Sequence, residues 1–228
     1  MQPQSNEIEH EALTVVAHEM GGPLQLLSLH LGALRSQLAD RMELRRVTSM
    51  GHAVEALRVL AHDLLDADQI CQGRFQMSFA EHELCALTRE VVESFRDTCV
   101  ARRLVMSFSA STDNIRVYCD YIRLTQALNN VIGNAVKFSP SDAAVLVRIG
   151  IFGDEVGFSV TDAGPGIPPE YRHLVFEPRW QIPGERRGHG LGLFVARRIV
   201  EAHHGRIWVE DADQEGTTIA FRIPFTCR

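Results

Sequence analysis

The sequence predicts an α+β chain in two parts, a helical hairpin followed by a segment of short strands and segregated helices. Three observations carry that expectation. Apolar residues recur at spacings of mostly three and four over residues 7–38 and again over 43–70, the signature of one buried helix face. Past Gln72-Gly73 the pattern changes to short β-rich runs alternating with helices. Several of those runs are consecutive, which argues for α+β and against a doubly wound parallel sheet. On this reading the 228 residues divide into 1–71 and 72–228.

Composition narrows the class. A hydrophobic share of 45% and a charged share of 23% are those of an ordinary globular protein. The net charge of −6 gives no basic footprint for nucleic acid or anionic lipid. Five scattered cysteines (Cys71, Cys85, Cys99, Cys119, Cys227) form no C-x-x-C pair, so free thiols in a reducing cytosol are expected. No apolar run approaches the roughly 20 residues of a membrane span, and the polar start MQPQSNEIEH is not a signal peptide. The expected location is cytoplasmic.

The first helix carries Ile8, Ala12, Val15, Val16, Leu24, Leu27, Leu31, Leu34 and Leu38 on its apolar stripe. Gly21-Gly22-Pro23 interrupts it, and a kink is expected there because proline removes a helix hydrogen bond. A turn at 39–42 leads to the second helix, with Leu44, Val47, Met50, Val54, Leu57, Leu60 and Leu64. One hairpin has little core of its own, so two are expected to pair as a homodimeric four-helix bundle. In the second part, strands are expected at 75–79, 104–109 and 115–119, and helices at 83–100 and 120–138. Two strands, 144–152 and 155–162, meet at Gly153-Asp154, a hairpin signal. A helix at 191–203 and strands at 206–210 and 217–224 close the chain.

Chemistry concentrates in five stretches. In LNNVIGNAVKFS, residues 128–139, Asn130 and Asn134 are one turn apart on one side of a helix, and Lys137 follows at the next turn. Amide oxygens suit Mg²⁺, and lysine offers a point charge to phosphate. Lys137 is the single lysine of a chain that otherwise uses arginine. Asp162-Ala163-Gly164-Pro165-Gly166-Ile167 ends a strand, and a carboxylate there can accept from an exocyclic amine. Gly188-His189-Gly190-Leu191-Gly192-Leu193 opens a helix whose amides can attract phosphate. FEPRWQIPGERR, residues 176–187, is long for a connection and reads as a lid or a disordered segment. His18, followed by Glu19, is set apart from the other histidines by the Gly-Gly-Pro after it. Neutral imidazole is a competent nucleophile that a neighbouring carboxylate can orient.

The order H-E-x-x-x-P-L, N-x-x-x-N-A-x-K-F-S, D-x-G-x-G-I, F-E-P and G-x-G-L-G-L resembles the sensor histidine kinases of two-component signalling. The resemblance covers nearly the whole chain, and five motifs in order are far more specific than any one of them. It implies a dimerisation and histidine-phosphotransfer hairpin, then an α/β sandwich ATP-binding domain of the gyrase, Hsp90, histidine kinase and MutL superfamily. His18 would be the phosphoacceptor and Glu19 the acid beside it. Asn134 and Asn130 would hold Mg²⁺, and Lys137 would touch phosphate. Asp162 would read the adenine amine, with Gly164 and Gly166 shaping the base pocket and Thr217 supporting it. Phe176 would pack at the lid base. Arg186 and Arg187 would reach the γ-phosphate, and Gly188, Gly190, Leu191 and Gly192 would cradle the phosphates. ATP and Mg²⁺ are the implied cofactors. The implied reaction is autophosphorylation of His18, then transfer to an aspartate of a response regulator receiver domain.

Two departures qualify the resemblance. The family usually carries a basic residue and then Thr or Asn where Gly21 and Gly22 stand, so weak phosphatase activity is expected. No sensor or membrane anchor precedes His18, so the chain is expected to be either the catalytic core of a longer protein, the favoured reading, or a kinase whose input arrives from a partner. The competing expectations are a phosphotransfer relay without ATP binding, a serine kinase or ATPase of the same superfamily, and a structural dimerisation protein.

Overall fold

The computed structural model describes residues 20–36, 42–44, 46–51, 53–54, 57, 61, 65, 69, 76–184, 190–210 and 216–226. It divides into two compact units, Met1–Phe75 and Gln76–Arg228.

Every described residue of the first unit is helical. Helix α1 runs over 20–36, and α2 collects the helical positions 42–44, 46–51, 53–54, 57, 61, 65 and 69. The expected interruption at Gly21-Gly22-Pro23 is not seen: the three residues are helical and continuous with the rest of α1. The bond and the ring clash that proline imposes fall on the turn before it, outside the described residues. Leu24, Val54 and Ala61 are buried, whereas Leu26, Leu27, Leu29, Leu34, Met50 and Leu57 are exposed. The apolar stripes are thus only partly covered within one chain.

The second unit is α+β, with a five-stranded sheet in the order β2-β4-β5-β7-β6. Its strands are β2 (Val105–Ala110), β4 (Ala144–Phe152), β5 (Glu155–Asp162), β6 (Arg206–Val209) and β7 (Thr217–Pro224). β2 pairs parallel to β4, and the other neighbours pair antiparallel. A separate two-stranded sheet joins β1 (Ala80–Glu83) to β3 (Arg116–Cys119). Period-two alternation sends Val145, Val147 and Ile149 of β4, Val156, Phe158 and Val160 of β5, and Ile219, Phe221 and Ile223 of β7 into the core. Phe158 and Phe221 face each other in register and stack with centroids 4.6 Å apart. Helices α3 (Leu84–Ser94), α4 (Arg96–Arg102), α5 (Tyr121–Phe138) and α6 (Gly192–Ala202) complete the unit. Leu124, Leu128, Val131 and Ile132 of α5 and Val195, Ala196 and Ile199 of α6 are fully buried.

Two expected elements differ. The strand expected at 75–79 lies instead at Ala80–Glu83, while 76–79 are irregular. AEHE has no apolar alternation to announce it; pairing with β3 makes it a strand. Glu83 then caps α3, its carboxylate accepting from the amides of Cys85 and Ala86. The helix expected at 83–100 is two helices, broken at Phe95, and α4 ends on Arg103 in the left-handed region at φ 58°.

α5 and α6 pack on each other and run antiparallel, since Asp120 before α5 meets His203 after α6, and Asn130 in mid-α5 meets Gly192 at the start of α6. This pairing places the polar side of α5 against the amino end of α6.

Candidate functional site

The site is built around α5. Its apolar face supplies core, which leaves Asn130, Asn134 and Lys137 half-buried on the other side. Asp120 caps the helix, Oδ1 accepting from the Arg123 amide at 3.0 Å. The other end is held by Arg102. Its guanidinium donates to the carbonyl of Val136 and, at 3.0 Å, to that of Ser139. These are among the carbonyls that a helix leaves without internal partners, and a cation suits that end of the dipole. The Ser139 hydroxyl turns back to the Ala135 carbonyl at 2.7 Å.

Asn130 is the most telling side chain. Its Nδ2 is buried without a hydrogen-bond partner. Its Oδ1 lies 3.4 Å from where a Cβ on Gly192 would sit. Gly192 begins α6, whose N-cap Leu191 is buried and gives no side-chain capping bond. A glycine at this position lets the amide side chain approach the amino end of the helix. Buried polar groups are nearly always paired. An unpaired donor beside a helix amino end fits an anionic oxygen, and a phosphate above all.

The second wall is the end of β5. Asp162 is only 8% exposed. Its Oδ1 accepts from the Gly164 amide at 2.7 Å, and the Thr217 amide also bonds the carboxylate. Burial pushes its pKa above the ordinary carboxylate value, and the two amides pull it partly back. Thr217 is opposite Asp162 in the β5–β7 register and equally buried. A Cβ on Gly164 would meet Asp162 Oδ1 at 2.7 Å and the Phe138 carbonyl at 3.1 Å. This close approach joins the Asp162 turn to the end of α5, one residue past Lys137. The Lys137 ammonium lies over the Phe138 ring, 4.9 Å from its centroid. Gly216, at φ 120°, is pressed on the other side, where a Cβ would be 2.2 Å from the Asp162 carbonyl oxygen. Gly166, at φ 78°, faces the Gly216 carbonyl.

Gly190 closes the neck of the expected lid. It sits at φ 70°, and its carbonyl accepts from the Arg179 amide at 2.9 Å. A Cβ there would stand 2.6 Å from the Trp180 carbonyl oxygen. Trp180 also packs on Tyr171, ring centroids 5.4 Å apart.

Of the residues expected at the site, Asn130 and Gly192 meet, and Asp162, Gly164, Gly166 and Thr217 gather at the end of α5. Phe176 is buried on a 3-10 turn, Leu174–Phe176, that packs on α6. It lines a separate groove of about 430 Å³ with Arg172, Arg197 and Trp208, not the Asp162 wall. His18, Glu19, Arg186, Arg187 and Gly188 lie outside the described residues. Sequence reasoning missed Arg102, Gly216 and the pair Asp120 and His203. Gly216-Thr217-Thr218 carried a signal, a glycine just ahead of an alternating strand. Arg102 carried none, since its two carbonyl partners lie more than thirty residues on.

Residues 119–226 match the family described as histidine kinase-, DNA gyrase B- and HSP90-like ATPases. The adaptive-response sensory kinase SasA of Prochlorococcus marinus is 33% identical over 96% of this chain and 58% of its own length. SasA of Parasynechococcus marenigrum is 30% identical over 95% of this chain and 57% of its own. The chain therefore spans about three fifths of the length of the curated relatives it matches. Among solved structures, full-length ShkA in complex with AMPPNP superposes with a TM-score of 0.75 at 27% identity, covering 96% of this chain and 46% of that one. The catalytic domain of the histidine kinase ThkA superposes with a TM-score of 0.62 at 31% identity, over 66% of this chain and 97% of that domain. With motif order, site geometry and a kinase catalytic domain matched along nearly its whole length, the chain belongs to the sensor histidine kinases.

Proposed function

We propose that this chain is a kinase core that binds Mg-ATP in its second unit, autophosphorylates His18 and passes the phosphoryl group to an aspartate of a response regulator receiver domain. The observation that carries the nucleotide site is the buried, unpaired Nδ2 of Asn130 beside the amino end of α6. Gly164 and Gly190 shape the walls of this site, because a Cβ at either would collide with neighbouring atoms of the chain, 2.7 Å and 2.6 Å away.

Each group has a task. The Asp162 carboxylate is an acceptor held by two amides, suited to the exocyclic amine of adenine. Asn130 donates to phosphate from one side, and the α6 amides from the other. Asn134, one turn further on the same face, offers an amide oxygen to Mg²⁺, a hard cation that favours such oxygens. Held there, Mg²⁺ would supply charge neutralisation for the phosphates. Lys137 adds a fixed charge at the end of α5. In phosphoryl transfer, positioning and charge neutralisation supply most of the acceleration. Glu19 orients the His18 imidazole and takes its proton. Arg186 and Arg187, by their charge, would meet the γ-phosphate.

The domain division at 71/72, the four-helix bundle and the homodimer belong to this reading. Exposed Leu26, Leu27, Leu29 and Leu34 on α1 support a second hairpin as their cover. Gly21 and Gly22 supply no side chain to position water, so phosphatase activity is weak.

Calorimetric titration of ADP with Mg²⁺ into the 228-residue chain tests the site. Binding in the wild type, lost in Asn130→Ala at unchanged circular dichroism, is expected. A folded wild type that gives no heat of binding is a phosphotransfer relay instead.

A further inference from the structure

The two helices that carry the nucleotide site are fastened at the end opposite it. His203 follows α6 and is completely buried. Its Nε2 accepts from the backbone amide of Asp120 at 3.0 Å. Its Nδ1 lies 2.8 Å from the carbonyl of Ile199, one turn back on α6. A carbonyl only accepts and an amide only donates, so the ring is neutral with its proton on Nδ1. Asp120 is itself a hub. Its Oδ1 caps α5 through Arg123, and its Oδ2 accepts from the Ser78 amide at 2.7 Å, where the chain enters this unit. Phe79 of the same segment stands edge-on to the His203 ring, centroids 5.3 Å apart.

Resting on the nucleotide site proposed above, we propose that His203 is a positioning residue for nucleotide binding: its bonds to Asp120 and Ile199 set the register of α6 on α5. That register decides how Asn130 meets Gly192 at the phosphate end. A slide of one helix along the other would separate the Asn130 amide from the α6 amides without touching either group. Its bonds to Asp120 and Ile199 and its ring contact with Phe79 involve none of the nucleotide-binding residues named above, so this effect travels through the helix pair.

The bond from Asp120 requires a lone pair on Nε2, which protonation removes. The ionisable groups nearest the ring are the Asp120 carboxylate and His204; Phe79 covers it from the entering segment. Burial pushes the His203 pKa below its ordinary value. The native state thus binds fewer protons here than the unfolded chain, and the node is intact above an unfolded value of about 6.5 and lost as pH falls through the lower native value.

The test is ADP and Mg²⁺ titration into the full chain at pH 7.5 and in steps below it for as long as near-UV circular dichroism shows the fold intact, for wild type, His203→Gln and His203→Leu. Glutamine keeps an acceptor and a donor but does not titrate in this range. Expected are His203→Gln binding within about twofold of wild type at pH 7.5, and His203→Leu about tenfold weaker, which is about 1.4 kcal/mol. Wild type loses affinity as the pH falls through the lowered native value of His203, and His203→Gln shows no such loss. The comparison removes the contribution of Asp162, whose titration both proteins share. Near-UV circular dichroism reports whether His203→Leu folds; if it does not, the pH difference between wild type and His203→Gln decides. A folded His203→Leu binding within twofold of wild type overturns the proposal, as do identical pH profiles for wild type and His203→Gln. A wild type that binds nothing at pH 7.5 overturns the nucleotide site and the positioning role with it.

Discussion

Gly164→Ala is a single methyl placed where two parts of the site touch. The new Cβ would sit 2.7 Å from Asp162 Oδ1 and 3.1 Å from the Phe138 carbonyl oxygen. The first separation is shorter than real Cβ contacts, so the carboxylate must swing or the turn must lift. Either movement disturbs the 2.7 Å bond from the Gly164 amide to Asp162. A hydrogen bond to a charged group is worth about 1.5–3 kcal/mol. If the carboxylate loses its aim at adenine, nucleotide affinity falls by a similar amount, about 10- to 150-fold. The second contact is to backbone at the end of α5, which Arg102 holds in place, so the strain cannot be relieved cheaply on that side. Calorimetry with ADP and Mg²⁺ measures the loss, and near-UV circular dichroism checks that the unit remains folded. A folded Gly164→Ala protein binding within twofold of wild type would refute the close approach as a determinant of the base site.

Gly133→Ala is the contrasting substitution. Only the Phe95 ring lies near, at 3.8 Å from a Cβ, so relief of a helix-interior glycine should raise stability by about 1 kcal/mol in urea denaturation and leave nucleotide affinity unchanged. Arg102→Ala removes two charge-assisted bonds from the end of α5. A cost of about 1.5–3 kcal/mol lowers the melting temperature of the second unit by about 3–12 °C, read by thermal circular dichroism; a change under about 1 °C contradicts the clamp. Asn134→Ala should abolish phosphate incorporation from γ-³²P-ATP while the fold and the dimer persist, and unchanged incorporation would remove Asn134 from the metal site.

Local patterns announced most of the second unit. β4 and β5 are nine and eight residues of alternating or continuous apolar character joined at Gly153-Asp154, and their bounds were legible to the residue. β7 was equally clear, because Thr217–Pro224 alternates over a fully buried face. β1 was not, since AEHE becomes a strand only by pairing with a segment far along the chain. The break at Phe95 was hidden because all its neighbours are compatible with a continuous helix. At the site, Asn130, Asp162 and the glycines belong to short motifs, so they could be read in place. Arg102, Asp120 and His203 act across long separations, and only tertiary structure reveals them. No motif marked His203 in the sequence, yet it is fully buried.

The most direct test of His18 as the phosphoacceptor of an ATP-dependent kinase is incubation of the purified chain with γ-³²P-ATP and Mg²⁺, beside His18→Gln, followed by acid and base treatment. The expected label is acid-labile and base-stable in the wild type and absent from the variant. Label that survives acid, or that persists in His18→Gln, would contradict that role.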